Sequence, residues 1–219
     1  MALGLLRRNM SKREENRQIR SQKMLDGAVA VFEKKSLESA KMTDIADAAG
    51  IGVASLYRYF KTKADIALQV GILYFEAVNE TLSVILSKDI SGIEKVEEMM
   101  RQYQNKDEAS MRFIKFIEEL DHYIEKLEEK PERLKDYEAA VYGQIPNFNQ
   151  ALTDGISDGT ISETIDLRYT IDMLNHTLMS LKQKFSTRGH VVSLDTETAH
   201  DHEMALLINV FLSYLKNGL

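Results

Sequence analysis

Residues Met42–Ile66 read MTDIADAAGIGVASLYRYFKTKADI. Thr43 can cap a short helix that runs to Ala49, and Gly50 supplies the backbone freedom a tight turn needs after it. A second short helix is expected from Val53 to Tyr59. Ile45, Ala46, Ala49, Ile51 and Leu56 are available to pack where the two helices cross, and small Ala46 permits a close approach. Two short helices joined in this way form a helix-turn-helix, whose second helix enters the major groove of DNA while the first touches the phosphate backbone. The outward residues suit that use. Thr43 offers a hydroxyl and free backbone N–H groups to a phosphate. Ser55, Tyr57 and Tyr59 are hydroxyl donors on and just after the second helix, and Val53 and Ala54 could meet a thymine methyl. Lys63 carries a flexible ammonium that can reach a phosphate. Leu56 and Phe60 are assigned to the core.

Outward from this window the chain reads as all-α. Apolar residues recur at i, i+3, i+4 and i+7 nearly everywhere, and period-2 alternation is almost missing. Ser11 with Glu14 resembles a capping box, followed by a stripe of Leu25, Ala28, Val29 and Phe32. Thr62 with Asp65 caps a long helix towards Leu86. Ser91 starts a helix towards Tyr103, and Asp107 starts a long one through Leu127. Pro131 opens the next, which Pro146 should kink or break. Two last helices are expected over about Asp166–Phe185 and Thr196–Leu215, separated by a polar loop around Arg188–Asp195. About nine helices result. They are divided into a three-helix DNA-binding domain over 11–65 and a ligand-binding and dimerisation domain over 66–219.

The charge is unevenly spread. The net of −6 over 219 residues conceals 13 Lys and Arg against 8 Asp and Glu in residues 1–75, a net of +5, and 15 against 26 in the remainder, a net of −11. Phosphate neutralisation needs positive charge only locally, so a basic front on an acidic body suits a DNA reader with an attached regulatory domain. The absence of cysteine excludes disulfides, thiolate metal sites and cysteine nucleophiles together. No apolar run approaches the ~20 residues of a membrane span, and Met1–Asn9 is too short for a secretory signal. A cytoplasmic protein is expected. No nucleophile elbow, phosphate loop or zinc spacing occurs, so neither enzymatic activity nor a cofactor is expected.

The string Ile45-Ala46, Ala49-Gly50-Ile51 and Leu56-Tyr57-Arg58-Tyr59-Phe60-Lys61-Thr62-Lys63 strongly resembles the TetR (tetracycline-repressor-like) regulators, contiguously over about 25 residues and behind one N-terminal helix. The resemblance implies that Thr43, Ser55, Tyr57, Tyr59 and Lys63 contact phosphates or bases. It further implies a homodimer built from the last two helices, a palindromic double-stranded DNA operator, and repression relieved by a small-molecule effector. This sequence departs from the family's pattern in three places. Gly52 stands at the cap of the recognition helix, where Ser or Thr is usual, and so offers no side-chain oxygen. Ala54 replaces a glycine, and Ala64 replaces a common glutamate. The first two bear on base specificity.

In the second domain, Ile171, Leu174, Leu178, Leu181 and Phe185, with Leu206, Val210, Phe211 and Tyr214, form two apolar stripes that could close the core or pair across a dimer. Met99, Tyr103, Phe113, Phe116, Tyr123, Tyr142, Met173 and His176 are candidates for lining an effector cavity, because methionine and aromatic side chains suit a flat or greasy ligand. A rival reading rests on two Glu-x-x-His pairs, Glu119–His122 and Glu197–His200, the spacing of carboxylate-bridged di-metal bundles. That reading gives the helix-turn-helix window no role.

Overall fold

The computed structural model describes residues 12–187 and 197–218, so Ser11 and the loop expected around Arg188–Asp195 lie outside the described residues. The helices are α1 (Lys12–Lys34), α2 (Met42–Ala48), α3 (Val53–Tyr57), α4 (Lys63–Leu86), α5 (Gly92–Arg101), α6 (Glu108–Glu125), α7 (Leu134–Tyr142), α8 (Ile145–Ser157), α9 (Leu167–Thr187) and α10 (Glu197–Asn217). A 3₁₀ turn, Gln102–Gln104, follows α5. No strand occurs among the described residues. The all-α reading holds. The chain divides into two compact units, one of residues up to Gly71 with Glu119–Leu134, the other of Ile72–Glu118 with Lys135–Leu219.

The first unit is built on α1. Met24, Leu25, Ala28, Val31 and Phe32 are buried there beside Ile45, Ala46, Leu56 and Phe60. Val29, expected in that stripe, is only half-buried. The tightest approach is made by Gly27, where an added Cβ would stand 2.8 Å from the Ala49 backbone nitrogen. It is thus a glycine on α1 that lets α1 close on the end of α2. The cap of α2 is Lys41, not Thr43, because the helix begins at Met42 and the Asp44 carboxylate takes the Lys41 N–H at 3.0 Å. Thr43 lies one residue inside. Gly50 turns the chain at φ +65, open to solvent, as a glycine between two helices should. α4 starts as the sequence indicates, with the Asp65 N–H on Thr62 Oγ1 at 3.1 Å and the Lys61 N–H on Asp65 Oδ2 at 3.1 Å.

The second unit packs Leu82, Ile85, Val96, Met99, Phe148, Leu152, Leu174, Leu178, Ile208 and Leu215 into one core. Its closest crossing is α5 on α8. An added Cβ at Gly92 would stand 2.0 Å from the Gly155 backbone nitrogen, and one at Gly155 would stand 2.4 Å from Ile161 Cδ1. Two further links fix the register: the Gly92 N–H donates to Asp158 Oδ2 at 2.7 Å, and Lys95 Nζ pairs with Asp154 at 2.8 Å. Ser91 and Glu94 form a capping box at the start of α5. Pro131 falls in a turn ahead of α7 rather than in its first turn, and its carbonyl accepts the Leu134 N–H at 3.0 Å. The break expected at Pro146 falls just before it. Proline needs no N–H partner in the first turn, so Pro146 opens α8.

Candidate nucleic-acid interface

Two buried side chains leave α3 facing solvent. Leu56 is fully buried, Phe60 is 3% exposed, and together they hold the helix down by one face. The other face is left outward, with Gly52, Val53, Ala54, Tyr57 and Arg58 exposed and Ser55 and Tyr59 half-exposed. Tyr57, at 51% exposure, and Val53, at 38%, are large apolar surfaces kept in water on a five-residue helix. The helix is shorter than Val53–Tyr59: Arg58 is its C-cap and Tyr59 follows in the turn, where its N–H bonds the Leu56 carbonyl at 2.9 Å. Gly52 caps it in extended backbone with no side-chain acceptor, as its identity dictates. Space is open where a Cβ would go. Gly52→Ser is therefore expected to add a few tenths of a kcal/mol to stability, read by thermal melting.

Thr43 is exposed on α2. Lys63 has a different occupation. Its ammonium donates to the carbonyls of Glu38 and Ala40 at 2.8 and 2.9 Å and lies 4.9 Å from the centre of the Tyr123 ring. Burial lowers its pKa, an effect that Glu38 opposes. An ammonium has three donors, so one remains beyond these two bonds. Lys63→Met should cost about 1 kcal/mol in thermal melts, because two charge-assisted bonds are lost and the one to buried Ala40 is not readily replaced by water. A change below about 0.5 kcal/mol would show that the clasp does not hold the loop.

The same unit is tied below α3 by Arg133. Its guanidinium bonds Asp65 at 2.6 Å and Gln69 at 2.6 Å and faces the Phe60 ring at 5.8 Å. Leu37 N–H donates to Glu119 Oε2 at 2.9 Å. Beside α3 an open groove is lined by Lys12, Arg17 and Arg20 of α1 together with Arg58 and Tyr59, with Glu14 and Asn16 between them. Arg58 also donates to Ser55 Oγ at 2.9 Å. Sequence reasoning did not single out Arg17 and Arg20, although their i, i+3 spacing places two cations on one face of α1.

In the second unit a cavity of about 80 Å³ lies between helices. Of the eight residues named for it from sequence, Met99, Tyr103 and Phe113 line it. Phe116 instead packs on Tyr74, at 5.8 Å between ring centres, and Tyr123 sits beside Lys63 in the first unit. Tyr142 and Met173 are 64% and 41% exposed, and His176 is exposed. What sequence reasoning missed are the polar groups of the lining: Gln102, Ser110, Gln144 and above all Lys182, which is only 5% exposed. A lysine in a helical pattern gives no sign that it points inward.

Of the Glu-x-x-His pairs, Glu119 binds the Leu37 N–H, His122 is exposed, and the His200 ring stacks on Phe185 at 4.1 Å, while the Glu197 side chain lies outside the described residues. Among the described residues no group of three or more His, Asp or Glu could hold a metal ion. Among the described residues no helix is long and apolar enough to cross a membrane.

Residues 24–70 match the family profile described as "Bacterial regulatory proteins, tetR family". Over 194 residues the chain is 25% identical to the biofilm operon icaADBC HTH-type negative transcriptional regulator IcaR of Staphylococcus aureus (strain Newman), covering 87% of this chain and 97% of that protein. Among solved structures it resembles the fatty acid degradation regulator FadR of Bacillus halodurans, with a TM-score of 0.64, 17% identity, and 90% and 98% of the two chains covered. It also resembles FadR of Bacillus subtilis in complex with stearoyl-CoA, with a TM-score of 0.59, 19% identity and the same coverage.

Proposed function

We propose that this chain, a member of the tetR family of bacterial regulatory proteins, is a DNA-binding transcriptional repressor whose grip on a palindromic operator is released by a small effector. The observation that carries the reading is the exposure of α3. A helix buried on Leu56 alone and presenting Val53, Ala54, Ser55 and Tyr57 outward has the shape and chemistry of a groove reader. In this reading Thr43, Gly52, Val53, Ala54, Ser55, Tyr57 and Tyr59 meet the DNA. Lys63 adds its third donor, and Arg17, Arg20 and Arg58 neutralise phosphates along the flank. The cytoplasm, where the DNA lies, is its place of action.

A single five-residue helix reads few bases, so two copies on neighbouring half-sites are needed for useful specificity. Ile171, Leu174, Leu178 and Phe211 are taken up by the monomer core, whereas Tyr169 and Met173 of α9 and Leu206 and Val210 of α10 remain exposed, at 71%, 41%, 56% and 56%. These four support a homodimer through the last two helices. Val210→Glu should shift the protein to monomer in size-exclusion chromatography with light scattering, since it would bury a charge in an apolar interface. An unchanged dimer would place the interface elsewhere.

The negative regulation in the name of the Staphylococcus aureus relative supports repression, and the stearoyl-CoA in the Bacillus subtilis structure supports a small-molecule effector. The test is selection of genomic fragments on the full chain, followed by a screen for small molecules that release them. Failure to retain any fragment at low salt overturns the DNA reading, and failure of every molecule to release a retained fragment overturns the effector reading.

A further inference from the structure

We infer that the cavity of the second unit takes a small organic acid, with the Lys182 ammonium as counter-ion to its carboxylate. This rests on the effector reading above and adds the charge and size of the ligand.

The walls of the cavity are apolar, with Phe75, Leu82, Met99, Phe113 and Phe148 among them. Into this lining come four uncharged polar side chains, Gln102, Tyr103, Ser110 and Gln144, and one cation, Lys182. Neither aspartate nor glutamate occurs among the described residues that line it. The Lys182 ammonium donates to the Asn105 backbone carbonyl, a neutral acceptor. The acids nearest to it in charge are engaged elsewhere: Asp201 pairs with Lys106 at 2.6 Å, and Asp107 accepts the Ser110 N–H at 2.7 Å. Burial, seconded by Lys106, holds the Lys182 ammonium below the ordinary lysine value, while Asp107 and Asp201 oppose that shift. A nearly buried ammonium without a carboxylate partner is costly, and an arriving anion removes that cost. Burial pushes the Tyr103 phenol up to about 12, so it stays protonated, and its hydroxyl donates to Asn175 Oδ1 at 3.4 Å.

Size narrows the class. The hollow measures about 80 Å³, less than the roughly 150 Å³ that admits benzene in an engineered cavity. Movement of the Met99 and Met179 side chains can enlarge it by the volume of a few atoms, since methionine adapts readily. A short-chain aliphatic acid is the ligand this allows.

The test is calorimetric titration of the full-length protein with propionate and butyrate against their uncharged isosteres propionamide and butyramide, repeated on Lys182→Met. The acids are expected to bind about tenfold or more tightly than the amides, the worth of one charge-assisted bond in a dry site. In Lys182→Met that preference should vanish while amide binding stays unchanged. Amides equal to acids in the wild type, an acid preference that survives in the variant, or no binding of either acid would each overturn the inference. The wild-type comparison alone decides if the variant does not fold. None of these outcomes touches the effector reading, which is judged by release of DNA in the wider screen.

Discussion

Gly92→Val is expected to lower the free energy of unfolding by roughly 4 kcal/mol, at the severe end of what single substitutions do. The atom that a new Cβ meets is the Gly155 backbone nitrogen, 2.0 Å away, with Gly155 Cα at 2.3 Å. Backbone cannot rotate aside as a side-chain tip can, so α5 and α8 would have to separate. Separation would break the Gly92–Asp158 hydrogen bond and the Lys95–Asp154 pair and open the core around Val96, Met99 and Leu152. For a chain of this size the loss corresponds to a fall in melting temperature of about 10 °C. Gly159→Ala is the matched control. Gly159 has φ +76 but nothing within 4 Å of an added Cβ, so only backbone strain of about 1 kcal/mol is at stake. Equal melting of the two variants would show that the helix crossing tolerates a side chain.

Tyr57→Ala should weaken operator binding about 100-fold with no measurable change in melting temperature. The ring is half exposed on α3, and removing surface side chains normally alters stability by less than about 0.5 kcal/mol. A lost contact to a base or phosphate costs about 1–3 kcal/mol, and in a two-headed complex it is lost twice. Tyr57→Phe separates the parts, since it keeps the ring and removes the hydroxyl. Electrophoretic shifts of both variants on a selected genomic fragment give the answer. Wild-type affinity in Tyr57→Ala would remove this residue from the interface, and a parallel drop in melting temperature would reassign it to packing.

The elements of the fold were legible because their signals are local. Gly50 stops one helix, Gly52 precedes the next, and Thr62 with Asp65 starts α4, each decided by residues three or four apart. The burial of Leu56 and Phe60 followed from the same spacing. What could not be read is whatever depends on residues far apart in sequence. Gly27 looks like an ordinary interruption of a helical pattern until Ala49 is placed against it. Gly92 and Gly155 have meaning only as a pair. Nothing near Lys63 in sequence suggests that, besides the phosphate contact expected of it, it bonds the carbonyls of Glu38 and Ala40 beside a tyrosine sixty residues on. For the cavity, helical periodicity cannot say which of several aromatic and methionine faces borders a hollow. Met99, Tyr103 and Phe113 reach it, whereas Tyr142 and Met173 point to solvent.

The clasp made by Lys63 has a consequence for how the protein should respond to ionic strength. Its acceptors are peptide dipoles, not carboxylates, and the ammonium is partly shielded from counterions by the loop it binds. Dissolved salt screens such a contact little, while each phosphate contact weakens with every added ion that competes for the duplex. Brine should therefore strip this protein from a DNA column with its reading head still intact.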